Sequence, residues 1–213
     1  MPVTVLSAKL IPRADAALLA SLDAPRGYGS LGLISTDCDD VSYAALDEAT
    51  KKADVRVIYA KSMYAGSANA STRLAGEFVG VLAAPGPEDA ASGLEAAVEF
   101  ARGGAAFVSA ADDDGIVYFA HCISRTGSYL SAVAGIAQGE PLAYLIAPPV
   151  EAMLGLDAAL KAADVELKLF YGPPTETNFA GGLLTGSQSA CQAACDAFAR
   201  AVCGTAACSF DIH

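Results

Sequence analysis

Residues 46–55 read LDEATKKADV, and residues 156–165 read LDAALKAADV. The two stretches start 110 positions apart, which is about half of the 213-residue chain. Each stretch follows an apolar run and precedes a strand-like segment: 31–34 and 55–60 in the first half, 142–146 and 165–171 in the second. A Gly-containing loop, a second apolar strand and a second helix come next in both halves. Self-similarity at a fixed offset indicates duplication of one small domain.

The order of elements in each half is therefore strand, helix, strand, loop, strand, helix. This order predicts an α/β fold in the form of an α+β sandwich, with helices packed on a small sheet in each of two tandem domains. The pair Gly103-Gly104 marks the boundary between the halves. We expect the first domain over residues 1–103 and the second over residues 104–213.

Helix signals define the second helix of each half. Pro87 occupies a first-turn position, and Arg102 followed by Gly103 ends that helix. In the second half, Thr185 and Gln188 have the spacing of a capping box. Small apolar residues at helical spacing predict the buried stripes: Ala90, Leu94, Ala97, Val98 and Ala101 in one helix, and Ala190, Cys191, Ala194, Cys195, Phe198 and Val202 in the other. Strands are expected over residues 3–10, 77–83, 116–123 and 142–147.

Composition and charge restrict the classes of partner. Hydrophobic residues make up 54% of the chain and charged residues only 17%, which favours burial of surface between subunits. The net charge is −11 with no basic run, so nucleic acid is a poor partner. Residues 142–150 form one of the longest apolar stretches, and it is far shorter than the roughly 20 residues of a membrane span. Residues 1–10 lack the pattern of a signal peptide, so we expect a cytoplasmic protein without membrane contact.

The chain offers few residues for catalysis. It has two histidines, His121 and His213, and we expect His121 to be a packed or interface residue. Cys191 and Cys195 share one helix face and are expected to pack in the core rather than to bind a metal. No Walker loop, dinucleotide-binding glycine pattern or paired zinc spacing occurs in the sequence. We therefore expect no catalytic residues, no metal and no cofactor.

Two kinds of segment are candidates for binding. The segment Asp37-Cys38-Asp39-Asp40 precedes a predicted helix; its carboxylates could cap that helix, or two of them could form a cation or amine site. Residues 64–72 and 172–182 are small, polar loops at equivalent places of the repeat. They could be ordinary surface loops or a mobile gate around a symmetry axis.

The chain resembles the EutL family, the tandem-domain shell proteins of the ethanolamine-utilisation microcompartment. The resemblance runs from about Ser30 to Val202 and is specific because many blocks occur in the same order. The blocks are Ser30–Ile34, Asp37–Val41, Leu46–Lys51, Ser62–Gly66, Ser124–Leu130, Ala147–Pro149, Pro173–Asn178 and Leu184–Gln188. The tail, Cys203 to His213, departs from the family.

The resemblance implies an assembly and a pore. It implies two circularly permuted microcompartment domains per chain, each with a mainly antiparallel sheet, and a homotrimer that mimics a hexamer and tiles with other shell proteins. It also implies a central pore that can be closed or open. The pore-loop residues that it assigns are Tyr64, Gly66, Asn69, Thr175, Asn178 and Phe179.

The resemblance further implies a small pore in each subunit where ethanolamine can bind. It assigns the ammonium group to Asp40 and Glu77, with the backbone of Phe107 as a third contact. It suggests that the hydroxyl end lies near Thr177 and Asn178. A primary ammonium has three donors and no acceptor, so converging carboxylates and carbonyls suit it.

Two other interpretations remain open from the residues alone. A duplicated, ferredoxin-like regulatory protein with a small-molecule ligand could show the same element order, but it would be a discrete oligomer that forms no sheets. An enzyme that uses His121 is the third possibility, and it would lose turnover on His121→Ala.

Overall fold

The fold was analysed in a computed structural model, in which residues 1–63, 77–111, 115–173, 175 and 177–208 are described. The elements over these residues are, in chain order, β1 (Val5–Ile11), α1 (Ala16–Ser21), β2 (Ser30–Thr36), α2 (Asp39–Lys52), β3 (Arg56–Ser62), β4 (Phe78–Ala84), α3 (Pro87–Gly103), β5 (Val108–Ser109), β6 (Val117–Ile123), α4 (Ser128–Ala134), β7 (Leu142–Ala147), α5 (Pro149–Ala162), β8 (Val165–Tyr171), β9 (Ala180–Gly186) and α6 (Gln188–Ala207). The same sequence of elements occurs twice, apart from the short β5.

The strands form two antiparallel sheets. The first has the order β1-β2-β4-β3, and the second has the order β5-β6-β7-β9-β8. In both sheets the strand that follows the first long helix lies at an edge, and β2, β4, β7 and β9 are the most buried strands. This is a two-domain α+β fold, so the predicted fold class is confirmed.

Contacts within the chain separate two compact units. The N-terminal unit comprises residues 2–105 and 127–130, and the C-terminal unit comprises Met1, residues 106–126 and residues 131–213. The expected domains, 1–103 and 104–213, differ from these units by two residues at the boundary and by the exchanged segments. The segment 127–130 belongs to the N-terminal unit because it packs on α2, as described below.

Each unit has an apolar core between its sheet and its two long helices. In the N-terminal unit, Leu46, Phe78 and Leu82 are fully buried in this core, whereas Leu31 packs with Val81 and Ala83 in a separate cluster that Leu19 of α1 also contacts. In the C-terminal unit, one cluster contains residues of β7, β9, α5 and α6: Ala143, Leu145, Ala147, Ala152, Leu156, Ala159, Ala180, Leu184, Cys191, Ala194, Cys195, Phe198 and Val202. Many of these residues are small, so the helices lie close to the sheet.

Most of the predicted elements agree with the structure, and two local predictions are wrong. The loop expected over residues 172–182 extends too far, because residues 180–182 belong to β9. The helix that begins at Pro87 ends at Gly103, as expected. Thr185 and Gln188 do not form a capping box: Ser187 is the N-cap of α6, and its hydroxyl accepts from the Ala190 amide at 3.2 Å. Thr185 still lies in β9, where its hydroxyl donates to the Pro141 carbonyl at 2.8 Å, so it is not available to the helix.

Candidate functional site

The turn from β2 into α2 is fixed by hydroxyl groups. The hydroxyls of Thr36 and Ser42 lie 2.9 Å and 2.7 Å from the carbonyl oxygen of Cys38, and 2.7 Å from each other. Cys38 is the N-cap of α2 and makes no side-chain capping bond. The first turn of α2 therefore presents Asp39 and Asp40 directly after this turn.

Asp39 connects the start of α2 to the end of β3. Its Oδ1 accepts from the amide of Asp40 at 2.9 Å, and its Oδ2 accepts from the Ser62 hydroxyl at 2.9 Å. The Ser62 hydroxyl also lies 2.9 Å from the hydroxyl of Tyr43. Asp37, one residue before Cys38, accepts from the amide of Thr4 at 2.7 Å. Asp39 thus bonds a helix amide, which the capping interpretation expects, and its neighbour Asp40 is also buried.

The carboxylates in this region create a negative local potential. The pKa of Glu77 is raised above its ordinary value, first by burial and then by repulsion from Asp39 and Asp37. The pKa of Cys38 is raised to about 12, chiefly by burial, and Asp40, Asp39 and Asp37 add to the shift. Like charges held together favour a bound cation, because the cation relieves their repulsion. We call this group, Asp37, Asp39, Asp40 and Glu77, the acidic cluster.

In the C-terminal unit, the described part of the second loop is a hydrogen-bonded turn. The Thr175 carbonyl accepts from the Asn178 amide at 3.2 Å, and the Thr175 hydroxyl donates to the Phe179 carbonyl at 2.8 Å. Asn178 has a φ of 60°, in the left-handed region that Asn tolerates better than most residues. Thr177 is half-buried in this turn.

Phe107 lies in an aromatic group next to that turn. Its ring stacks on Phe119 with a centroid distance of 5.4 Å and contacts Phe179 edge-on at 5.8 Å. Its carbonyl oxygen accepts from the amino group of Met1. The carbonyl that the resemblance assigns to an ammonium ligand therefore already accepts from an amino group, and one lone pair remains for a second donor.

The predicted site residues fall into three groups. Asp40 and Glu77 lie in the N-terminal unit, at the start of α2 and directly before β4. Phe107, Thr177 and Asn178 lie in the C-terminal unit, together with the pore-loop residues Thr175 and Phe179. The remaining pore-loop residues are outside the described part of the chain: Tyr64, Gly66 and Asn69.

Sequence reasoning missed Ser62 and Tyr43 as partners of the acidic cluster. Both are common residue types, and they are 19 positions apart in the chain. The pairing of β3 with β4 places Ser62 opposite Phe78, one residue after Glu77. The strand order that creates this proximity could not be read from local patterns.

The two cysteines and the histidine that were considered for metal binding or catalysis have packing roles. Cys191 and Cys195 are buried in the core of the C-terminal unit, as predicted, and burial raises the pKa of both thiols. His121 lies in β6 and stacks on Phe119 at 5.7 Å. Within the described ranges, no group of three or more His, Cys, Asp or Glu side chains is arranged to hold a metal ion. None of the helices described here combines the length and apolar character needed to cross a membrane.

Comparisons with known proteins give the chain its class. No family model matches it. It is 63% identical over 198 residues to the bacterial microcompartment shell protein EutL of Clostridium perfringens (strain 13 / Type A), which covers 93% of this chain and 91% of that protein. It is 49% identical over 199 residues to the shell protein EutL of Escherichia coli (strain K12), with the same coverage of 93% and 91%.

A solved structure agrees with these relatives. The crystal structure of the ethanolamine utilization protein EutL from Leptotrichia buccalis superimposes with a TM-score of 0.96 at 61% identity, over 100% of this chain and 98% of that one. The fold and the identity together define the class: bacterial microcompartment shell proteins. Within that class, the chain belongs to the EutL family.

Membership in this family decides between the three interpretations of the sequence. The relatives are shell proteins, so the chain is a structural protein of a microcompartment shell and not an enzyme. The predicted resemblance is confirmed. The regulatory protein and the enzyme built on His121 are set aside.

Proposed function

We propose that the chain forms a homotrimer with pseudo-sixfold symmetry, which tiles with other shell proteins around the enzymes of ethanolamine utilisation. The internal duplication supports this proposal, since three chains with two similar domains each can close a ring of six. The Leptotrichia buccalis relative is named an ethanolamine utilization protein, which supports the metabolic setting. A native mass measurement that gives only monomers or dimers would reject the trimer.

The proposed trimer has a central pore that the two loops can open and close for metabolites or cofactors. The loop residues assigned to it are Tyr64, Gly66, Asn69, Thr175, Asn178 and Phe179. The hydrogen bonds that join Thr175 to Asn178 and Phe179 support a gate that moves as a unit, because these residues keep bonds to one another. Two arrangements of similar free energy are needed for such a gate.

The proposed ligand of each subunit is ethanolamine, bound through its ammonium group by Asp40 and Glu77. The observation that carries this proposal is the acidic cluster, in which the pKa of Glu77 is raised first by burial and then by repulsion from Asp39 and Asp37. An ammonium group relieves this repulsion and donates to carboxylates in charge-assisted hydrogen bonds. The family resemblance adds Phe107, Thr177 and Asn178 as further contacts.

Calorimetry on single variants tests the ammonium site. We expect Asp40→Asn and Glu77→Gln each to weaken ethanolamine binding by about ten-fold or more, because a hydrogen bond to a charged group contributes about 1.5–3 kcal/mol. Glu88→Gln is the matched control, since Glu88 is an exposed carboxylate in the first turn of α3. Equal affinities for the wild type and the Asp40→Asn/Glu77→Gln double variant would reject the assignment.

The raised pKa of Glu77 predicts a dependence of binding on pH. In the free protein, Glu77 takes up a proton at a higher pH than an ordinary glutamate, and the protonated form has lost the charge that attracts an ammonium group. Affinity for ethanolamine should therefore fall as the pH falls through the raised pKa, with proton release on binding in that range. Calorimetry in buffers of different ionisation enthalpy measures both effects. Glu77→Gln should flatten the profile, and an unchanged profile in this variant would contradict the role of Glu77.

A further inference from the structure

The internal repeat includes one short helix in each half, α1 and α4, at equivalent positions. α1 connects β1 to β2, and α4 connects β6 to β7, in both cases between antiparallel neighbours. Leu18 is the third residue of α1, and Leu130 is the third residue of α4. The two leucines therefore occupy equivalent positions, but Leu18 is 41% exposed and Leu130 is 1% exposed.

Leu130 is buried because the start of α4 docks on α2. Asp47 of α2 accepts from the amide of Gly127 at 2.7 Å through Oδ2, and from the amide of Leu130 at 2.8 Å through Oδ1. The Thr50 hydroxyl accepts from the Ser128 amide at 3.0 Å. The ring of Tyr129 stacks on Tyr43 of α2 at a centroid distance of 6.4 Å. One face of α2 thus receives the segment 127–130.

The matching face of α5 is exposed. It consists of residues spaced by three and four positions along one side of the helix: Val150, Met153, Leu154, Asp157 and Leu160. Asp157 is the repeat equivalent of Asp47, yet its side chain is 60% exposed and pairs with Lys161 at 2.6 Å. Asp47 is only 1% exposed. We call this set the α5 face.

α1 carries an exposed leucine, Leu18, at the position where α4 carries the buried Leu130. Leu19 packs against Leu31, Val81 and Ala83 of its own unit, and the other residues of α1, Leu18 among them, are exposed. Leu18 and the mostly apolar α5 face are both exposed to solvent. Their repeat equivalents, Leu130 and the face of α2 that receives segment 127–130, are covered. Exposed apolar surface of this kind marks an interaction site.

We infer that α1 of a second copy of the chain packs on the α5 face, with Leu18 against the apolar residues of that face. The inference rests on the proposed homotrimer and names the surfaces that form it. A second copy is the occupant because each chain carries both the uncovered element and the uncovered face. Such a contact is heterologous, and repeated three times it closes a ring in which each copy gives one α1 and one α5 face.

The contact between copies differs in chemistry from the contact on α2. The docking of segment 127–130 on α2 requires glycine at position 127, because a Cβ there would lie 2.2 Å from the Thr50 hydroxyl oxygen. Asp15 stands at the equivalent position of α1 and caps its own helix, accepting from the Ala17 amide at 2.8 Å. α1 therefore needs no carboxylate from its neighbour, and Asp157 keeps its pair with Lys161. The contact between copies is apolar.

Sedimentation velocity on Leu18→Asp and Leu154→Asp tests the inference. Both positions are exposed in the single chain, so each unit keeps its own core. A charge placed in an apolar contact should raise the dissociation constant of the trimer at least about thirty-fold, since central contacts of an interface contribute 2 kcal/mol or more. Glu88→Ala, on α3, is the control and should leave the trimer intact.

Mixing the two variants identifies the pairing. Each variant has one intact surface, so a 1:1 mixture should form heterodimers, whereas each variant alone should remain monomeric. Trimers that persist in both variants would overturn the inference and leave the proposed homotrimer standing. A wild type that is not a trimer would overturn the homotrimer itself. Dissociated variants that form no heterodimers when mixed would show that Leu18 and Leu154 do not pair, which also overturns the inference.

Discussion

Replacing Asp47 with Ala should destabilise the N-terminal unit by about 3 kcal/mol. The Asp47 carboxylate accepts from the amides of Gly127 and Leu130 at 2.7 Å and 2.8 Å. Hydrogen bonds to a charged group contribute about 1.5–3 kcal/mol each. Burial raises the pKa of Asp47 despite these bonds, so part of their contribution offsets the cost of placing a charge in the interior. The variant loses both bonds and leaves two buried amides without an acceptor.

The repeat supplies the control for this experiment. Asp157→Ala changes the same residue type at the equivalent position, but its side chain is exposed and makes a surface ion pair with Lys161. That pair contributes at most about 1 kcal/mol. Urea unfolding of both variants at one protein concentration measures the difference. Equal losses for Asp47→Ala and Asp157→Ala would contradict the anchoring of segment 127–130 by Asp47.

Gly181→Ala should destabilise the C-terminal unit by about 3 kcal/mol or more. Gly181 lies in β9 opposite Ile146 of β7. A Cβ at this position would lie 1.9 Å from the backbone oxygen of Leu145 and 2.9 Å from the Cα of Ile146. Both atoms belong to the backbone, so no side-chain rotation can relieve the overlap, and the two central strands must separate.

Gly204→Ala is the matched control in the same unit. Gly204 lies in α6, where an added Cβ meets no atom within 4 Å. Alanine in a helix is favoured over glycine by about 1 kcal/mol, so this variant should be slightly more stable than the wild type. Thermal unfolding should therefore give shifts of opposite sign for the two substitutions. Similar shifts would contradict the close approach of β7 and β9 at Gly181.

The duplication was the part of the fold that the sequence predicted best. The stretch at residues 46–55 and its copy share charged, small and apolar residues in one order, so the repeat is visible without a structure. The strands β7 and β8 match the predicted ranges, because β7 is an uninterrupted apolar run and β8 alternates apolar with charged residues over its first half. α1 and α4 were missed because helices of six or seven residues are too short to show periodicity.

The candidate site was predictable only in part. Asp40 follows a strand and begins a helix, which local patterns indicate, and the resemblance added Glu77. Ser62 was not predicted, because its bond to Asp39 depends on the position of β3 in the sheet. The burial of Asp47 was not predicted either: Asp47 and Asp157 look alike in sequence, and only tertiary contacts distinguish them.

Electron microscopy of the purified chain at high concentration tests whether the protein tiles into a shell layer. A shell tile with pseudo-sixfold symmetry packs edge to edge, so the account predicts extended sheets with a hexagonal lattice, whose repeating unit is a trimer of this chain. Discrete particles of fixed size, with no sheets at any concentration, would contradict the proposal that this protein tiles a microcompartment shell.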